Sequence, residues 1–278
     1  MTGQSEITSL CREILGAGRA STFQSNPSVL QDLYDALEPH LRSDVALNGN
    51  LPSHEDLSLL YAIRARFERE LEFGLARDEL DRPSARERIG ASVQRKNDAL
   101  PETFYDAIER DKPVLFVGSG PYPTTAMALS SRLSIDVTCL DFDSEANELG
   151  ARYIRVGGYA DRIQITEGEI SRFGDICQFG TIVCAFLVGV GLEPGPLDRK
   201  TRLINTVLDR MPLGQKLILR SPLGLGALLY PKVEITGRTD VAVRVWPDPS
   251  TSVPYDKPFV ALTKTSIDTE NRKPIHAH

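Results

Sequence analysis

A chain of 278 residues with 41% hydrophobic content is long enough for one large domain or two modest ones and can build a sizeable core, so it reads as a globular protein. Its formal net charge of −6, with no dense Lys/Arg run, argues against binding nucleic acid by neutralising phosphates and favours small-molecule substrates. Met1–Glu6 has neither a basic n-region nor an apolar h-region, no apolar run reaches the ~20 residues that span a bilayer, and Cys11, Cys139, Cys177 and Cys184 lie too far apart for a disulfide framework or a zinc motif. The expectation is a cytoplasmic protein with buried thiols and no membrane partner.

Residues 1–110 show helical spacing and almost no strand-like alternation: Ile7, Leu10 and Ile14, then Leu30, Leu33, Tyr34 and Leu37. An all-helical N-terminal domain is expected there. Its best-marked helix begins after Pro52, with Ser53 as N-cap and Glu55 and Asp56 in the first turn, and carries Leu60, Ile63, Phe67 and Leu71 on one face. Arg64, Arg66, Glu68, Arg69, Glu70 and Glu72 lie opposite and form, for the most part, the solvated face that an amphipathic helix carries by default. Arg77–Lys96 is highly charged and contains Pro83, which reads as a linker or a short helix; helical spacing resumes over Leu100–Arg110.

From Lys112 the chain alternates strand and helix, the pattern of a parallel sheet with right-handed crossovers. Strands are expected at 113–118, 136–141, Arg162–Ile165, Thr181–Leu187 and Gln215–Arg220, with helices at about 123–132, 144–156 and Arg199–Arg210. Asp240–Trp246 and Pro258–Thr263 would add an antiparallel pair. The domains are therefore 1–110, helical, and 111–270, α/β, followed by a frayed tail at 271–278 whose His276 and His278 suggest no metal site.

The most informative stretch is Pro113–Tyr122, where an apolar run empties into Gly118-Ser119-Gly120 and the turn Pro121-Tyr122-Pro123. About twenty residues on, Val137–Leu140 ends in Asp141-Phe142-Asp143, where a Rossmann-like unit places the acid that takes a ribose diol. The third glycine of the dinucleotide fingerprint is missing and prolines stand in its place, which disfavours a pyrophosphate cradle. A nucleoside cofactor without a diphosphate, above all S-adenosylmethionine, fits better. Because ligands in such sheets sit outside the carboxyl ends of the strands, the other strand ends belong to the same set: Glu167-Gly168-Glu169, Ala185-Phe186-Leu187-Val188-Gly189 and Arg220-Ser221-Pro222. The set resembles the class I S-adenosylmethionine fold, and that resemblance implies that Asp141 or Asp143 takes the ribose, Glu167 or Glu169 the adenine edge, and that Ala185 and Leu187 line the reacting centre; Asn147, one turn on, is expected to face solvent.

Val117–Thr125, Leu219–Gly224 and Leu228–Pro231, together with Ala185–Gly189, resemble nicotianamine synthases and their bacterial relatives that make opine-type metallophores. The resemblance covers roughly 110–235 by motif. It implies a helical domain joined to a Rossmann-like class I S-adenosylmethionine-dependent transferase domain. It also implies transfer of the 3-amino-3-carboxypropyl (aminobutanoyl) arm of S-adenosylmethionine to an amine, with release of methylthioadenosine and with no metal on the enzyme. Plant members have a histidine after the serine of the Arg-Ser motif, where this chain has Arg220-Ser221-Pro222-Leu223-Gly224, so acceptor recognition departs there.

A sulfonium has three electrophilic carbons, and the one that reacts is the one aligned with a nucleophile at roughly 3–3.5 Å. Selecting Cγ requires a grip on the amino acid arm, for which Arg220 is the candidate carboxylate clamp. Tyr122 and Tyr230 could offer a ring face or a hydroxyl beside the sulfonium. Glu70, with Glu72 beside it, is the candidate base by analogy with the family's helical-domain glutamate. Gly118, Ser119, Gly120, Pro121, Tyr122, Asp141, Phe142, Asp143, Glu167, Gly168, Glu169, Ala185, Leu187 and Ser221 are the expected cofactor-binding residues. The competing outcomes are cyclisation of the donor to azetidine-2-carboxylate with no acceptor, ordinary methyl transfer, and a non-catalytic binding module; a homodimer is compatible with each.

Overall fold

The computed structural model describes residues 2–19, 27–41, 52–220, 227–235, 237–246 and 259–266. The chain divides into two compact units. One comprises Met1–Glu68, Gly189–Arg202 and Ser221–Val233; the other comprises Arg69–Val188, Leu203–Arg220 and Glu234–His278. The division between Glu68 and Arg69 falls inside a helix. The expected tail 271–278, with His276 and His278, lies outside the described residues.

The first unit contains α1 (Thr2–Arg19), α2 (Pro27–Leu41) and the beginning of α3 (His54–Asp81). Ile7, Cys11, Ile14, Leu30, Tyr34, Leu37, Leu60, Ile63 and Phe67 form its core with Leu228 and Leu229. Ser53 caps α3 as its position predicts: the Asp56 N–H donates to Ser53 Oγ at 3.1 Å, and Ser53 Oγ donates to the Asp56 carboxylate at 2.9 Å.

The apolar stripe expected along α3 holds only as far as Phe67. Leu71 is 43% exposed, and burial passes to Phe73, Ala76 and Leu80. A 28-residue helix that serves two cores cannot keep one face buried throughout, and the second unit's core takes Ala76 and Leu80. Of the two readings of the charged segment, linker or short helix, the helix holds. Pro83 ends α3, Ser84 adopts a left-handed φ of 61°, and its carbonyl accepts from the Glu87 and Arg88 N–H groups to start α4 (Ala85–Ala99), which buries Ile89 and Val93. The spacing at Leu100–Arg110 yields only the short α5 (Glu102–Asp106).

The second unit carries one seven-stranded sheet made of β1 (Val114–Val117), β2 (Val137–Asp141), β3 (Ile163–Glu167), β4 (Thr181–Cys184), β5 (Lys216–Arg220), β6 (Val241–Trp246) and β7 (Phe259–Lys264). Their order is β3-β2-β1-β4-β5-β7-β6. The first five are parallel, in the 3-2-1-4-5 order of doubly wound sheets. β7 runs antiparallel to β5, and β6 antiparallel to β7, as the sequence leads one to expect. The crossover helices include α6 (Thr124–Leu133), α7 (Ser144–Gly157) and α8 (Arg199–Arg210). β1, β2 and β4 are mostly apolar and, apart from Asp141 at the end of β2, buried on both faces, which is what a sheet covered by helices requires. β4 stops at Cys184, shorter than expected, because Ala185–Val188 turns away from the strand.

Candidate active site

The parallel strands of the second unit deliver their carboxyl ends to one edge of the sheet, so Gly118, Asp141, Glu167 and Ala185 arrive together. Gly118 has φ +76°, and an added Cβ would lie 2.8 Å from Val188 Cγ2 and 3.3 Å from Ala185 Cβ. The turn after β4 thus packs on bare backbone, a contact no other residue type permits without displacement. Gly120, at φ +61°, is still more constrained: a Cβ there would stand 2.4 Å from Glu72 Oε2. The carboxylate of Glu72 therefore rests against the Gly120 backbone.

Asp141 is fixed at both ends. Its Oδ2 accepts from the Gly120 N–H at 2.9 Å and its Oδ1 from the Asp143 N–H at 3.1 Å; its carbonyl accepts from Asn147 Nδ2 at 3.0 Å and from the Gly168 N–H at 2.9 Å. Burial raises the Asp141 carboxyl above its usual 3.8, and the Gly120 and Asp143 amides offset only part of that. Asn147 is buried rather than solvent-facing, and its Oδ1 has no hydrogen-bond partner among the described residues. Phe142 presents its ring to solvent at 62% exposure.

Asp143 is spent elsewhere. It is the N-cap of α7, its Oδ1 accepting from the Glu145 and Ala146 N–H groups, and its Oδ2 accepts from Arg69 Nε at 2.8 Å. Burial would raise its carboxyl, but the Arg69 hydrogen bond and charge together with the α7 amides outweigh burial and hold it below 3.8. Of the two acids the sequence offers for a ribose diol, Asp141 is the one whose position at the strand end is not consumed by a cap and an ion pair.

The remaining strand ends are equally explicit. Ser119 and Pro121 are buried in the glycine turn, and burial pushes the Cys139 thiol up to about 12. Glu167 and Glu169 are exposed on either side of Gly168. The loop behind them is organised by Arg210, the last residue of α8, whose guanidinium donates to the carbonyls of Ile170 (2.7 Å), Ser171 (3.1 Å), Phe173 and Gly174 (2.7 Å). Ala185 and Leu187 are half-buried beyond β4. Arg220 closes β5 with its guanidinium 4.2 Å from the Phe186 ring centroid. Ser221 lies outside the described residues.

Two expected tyrosines are committed to glutamates. The Tyr122 hydroxyl donates to Glu79 Oε1 at 2.9 Å, and its ring packs edge-on against Tyr153, so it does not present a free hydroxyl to a ligand. Within the first unit, the Tyr230 hydroxyl accepts from Arg64 Nε (3.1 Å) and Nη2 (2.7 Å) and donates to Glu68 Oε1 at 2.5 Å. The Arg64 guanidinium lies 4.4 Å from the Tyr34 ring centroid, 5.5 Å from that of Phe67 and 5.3 Å from that of Tyr230. Arg64 and Glu68 are therefore not a solvated face. Glu70 does fit that description, with a side chain 58% exposed and paired with Arg69 at 3.2 Å. Sequence reasoning missed Glu79; the signal was its place among Phe73, Ala76 and Leu80, the residues that α3 buries beyond Phe67.

Of the cysteines, Cys11, Cys139 and Cys184 are buried as expected, whereas Cys177 is exposed. No group of three or more His, Cys, Asp or Glu among the described residues could hold a metal ion. No described helix is long and apolar enough to cross a membrane.

The chain spans about a third to somewhat under half the length of the curated relatives it matches. It is 30% identical over 125 residues to nicotianamine synthase 9 of Hordeum vulgare, which covers 44% of this chain and 35% of that protein. It is 29% identical over 130 residues to the L-histidine 2-aminobutanoyltransferase of Pseudomonas aeruginosa, covering 46% and 45%. Among solved structures, MtNAS in complex with MTA and tNA superposes with a TM-score of 0.69 at 19% identity, over 96% of this chain and 99% of that one. A point mutant of MtNAS in complex with S-adenosylmethionine gives 0.68 at 18%, with the same coverage. At that identity the likeness speaks for the fold. The family model described as nicotianamine synthase protein matches residues 99–255, more than half of the sequence, and the chain belongs to that family.

Proposed function

We propose that the chain is a transferase that uses S-adenosylmethionine as donor, moves its 3-amino-3-carboxypropyl arm to an amino acid or amine, and releases methylthioadenosine. The observation that carries this reading is the carboxylate of Glu72 resting on Gly120, directly beside the Asp141–Gly120 hydrogen bond. A nucleoside fits the residues present: Gly118 and Gly120 leave bare backbone, Asp141 stands ready for a diol, and the exposed Phe142 ring offers a flat apolar face. Oδ1 of Asn147, buried and unpartnered, adds an acceptor beside Asp141.

The acceptor's nitrogen forms a bond to Cγ as the Cγ–S bond breaks; the electron pair returns to sulfur and leaves a neutral thioether, and the amine proton must go to a base. In this reading Glu72 takes that proton and Glu70 does not, because Glu70 faces solvent and pairs with Arg69. Arg220 grips the donor's carboxylate, its plane set by Phe186. The product is a metallophore or a related amino acid metabolite made in the cytoplasm, the setting that suits the exposed thiol of Cys177.

The test is incubation of the protein with S-adenosylmethionine, alone and with a panel of amino acids, with products identified by mass spectrometry. Methylthioadenosine appearing only with an amine supports transfer and names the acceptor. Methylthioadenosine with azetidine-2-carboxylate in the absence of acceptor replaces transfer by cyclisation, and S-adenosylhomocysteine overturns both. Glu72→Gln should lower the rate about 10²-fold, while Glu70→Gln should leave it within a factor of two.

A further inference from the structure

Glu79 has no part in that chemistry, yet it is among the most tightly held groups in the second unit. It is 8% exposed, and its carboxylate accepts from the hydroxyls of Tyr122 (2.9 Å), Ser92 and Tyr153, with Arg95 Nη2 3.9 Å away. Burial raises both phenols above their ordinary range, Tyr153 most, so each remains a protonated donor.

Glu79 follows Glu72 by seven residues, about two turns, which puts both on the face of α3 that also buries Ala76. At the other end of the hydrogen bond, Tyr122 follows Gly120 by two residues in the same loop. The contact between Glu79 and Tyr122 therefore ties the helix that carries Glu72 to the loop against which Glu72 rests. Besides the packing of Ala76 and Leu80 in the core and the part-buried Arg69–Asp143 pair at 2.8 Å, the ties of this stretch of α3 include ion pairs nearer the surface: Arg69 to Glu145 and Arg77 to Glu145 at 2.9 Å, and Arg152 to Asp81 at 3.6 Å. Exposed pairs of this kind fix geometry weakly. A buried carboxylate with three hydroxyl donors fixes it well, because any shift strands polar groups away from water.

We propose that Glu79 is a positioning residue: acting through Tyr122, it sets α3 against the glycine loop so that the Glu72 carboxylate stays on Gly120 during catalysis. The inference rests on the reading of Glu72 as the base. A displacement of about 1 Å at a reacting group can cost up to 10²-fold in rate, so the loss of one of three donors should be visible in kcat while donor binding, governed by Asp141 and the glycines, is spared.

The experiment is a double-mutant cycle of Tyr122→Phe and Glu72→Gln, reading the rate of methylthioadenosine release at saturating S-adenosylmethionine, the donor's Kd by calorimetry, and the melting temperature. Tyr122→Phe should lower kcat about 10-fold and change Kd less than twofold, and it should cost less than twofold when Glu72 is already Gln. An unchanged kcat overturns the proposal. So does an equal loss in both backgrounds, which would mean that Tyr122 acts independently of Glu72, and so does a parallel fall of kcat, affinity and melting temperature. Glu79→Gln keeps an acceptor oxygen and should retain more activity than Glu79→Ala; equal losses in the two also count against it. A wild-type protein that releases no methylthioadenosine refutes the reading of the reaction instead. In that case amide exchange at Gly120–Tyr122 decides the structural claim: faster exchange in Glu79→Gln supports the tie, and unchanged exchange overturns it.

Discussion

The two halves of α3 each hold a glutamate under a tyrosine hydroxyl, Glu68 half-buried and Glu79 buried, and they balance its charge in different ways. In the first unit Glu68 meets Arg64 at 2.6 Å, and that guanidinium is itself stacked among Tyr34, Phe67 and Tyr230. In the second unit Glu79 relies on three neutral hydroxyls, with Arg95 standing off at 3.9 Å. A guanidinium stacked on rings can bear burial because its faces are weakly hydrated. A carboxylate held by hydroxyls avoids that need but depends on the placement of each donor. The first arrangement suits a core that only has to hold together, and the second suits a helix whose register matters.

If that contrast is sound, Arg64→Ala should be the most damaging change. It leaves Glu68 without its cation and removes the stacking contacts, at a cost of about 3 kcal/mol, or roughly 6–12 °C in melting temperature. Glu79→Ala should cost less, about 2 kcal/mol, as Tyr122, Tyr153 and Ser92 lose an acceptor; if calorimetry finds the reverse order, the contrast fails. Acid should produce a smaller effect still. Arg69 holds Asp143 below its usual 3.8, and Arg238 and Lys264 hold Asp240 lower again. Both folded values lie beneath the unfolded ones, so their contribution is complete above about pH 4–5 and is lost as pH falls through the folded values. Denaturation midpoints measured between pH 5 and pH 2 should drop, and Arg69→Ala should reduce the drop. Arg77→Ala, which removes one exposed pair, should shift stability by no more than about 0.5 kcal/mol; a larger loss would mean that surface pairs help set the register after all.

Much of the α/β region was legible from sequence because its signals are local. The glycines at 118 and 120 follow an apolar strand, Asp141 ends the next, and the seven strands fall close to where their apolar runs stand. Boundaries were less legible. Pro83 and a dense run of charges left α4 open between a linker and a short helix, since a few apolar residues such as Ile89 and Val93 were enough to bury one face of it. The distinction between Asp141 and Asp143 was not available either, because it depends on which carboxylate Arg69 reaches from 74 residues upstream. Least legible was α3. Periodicity assumes that one face is buried throughout, whereas here the buried face changes beyond Phe67. Residues assigned to solvent, Arg64, Glu68 and Glu72, proved to be engaged with rings, a hydroxyl and the Gly120 backbone. Asn147 was misjudged for a similar reason: a polar residue one turn into a helix looks free until the strand carbonyl it serves is known.

The grip of Arg210 on the loop after β3 also orders events during synthesis. The carbonyls it gathers belong to residues as many as 40 positions earlier in the chain. At about 5–20 residues per second, roughly 2–8 s pass between the emergence of Ile170 from the ribosome and that of the side chain that shapes its loop. During that interval the nascent chain has made β1, β2 and β3 and can begin to pair them, but the loop beyond Glu167 lacks its organiser. The loop beyond Glu167 is thus completed late, after β4 and α8 have been made.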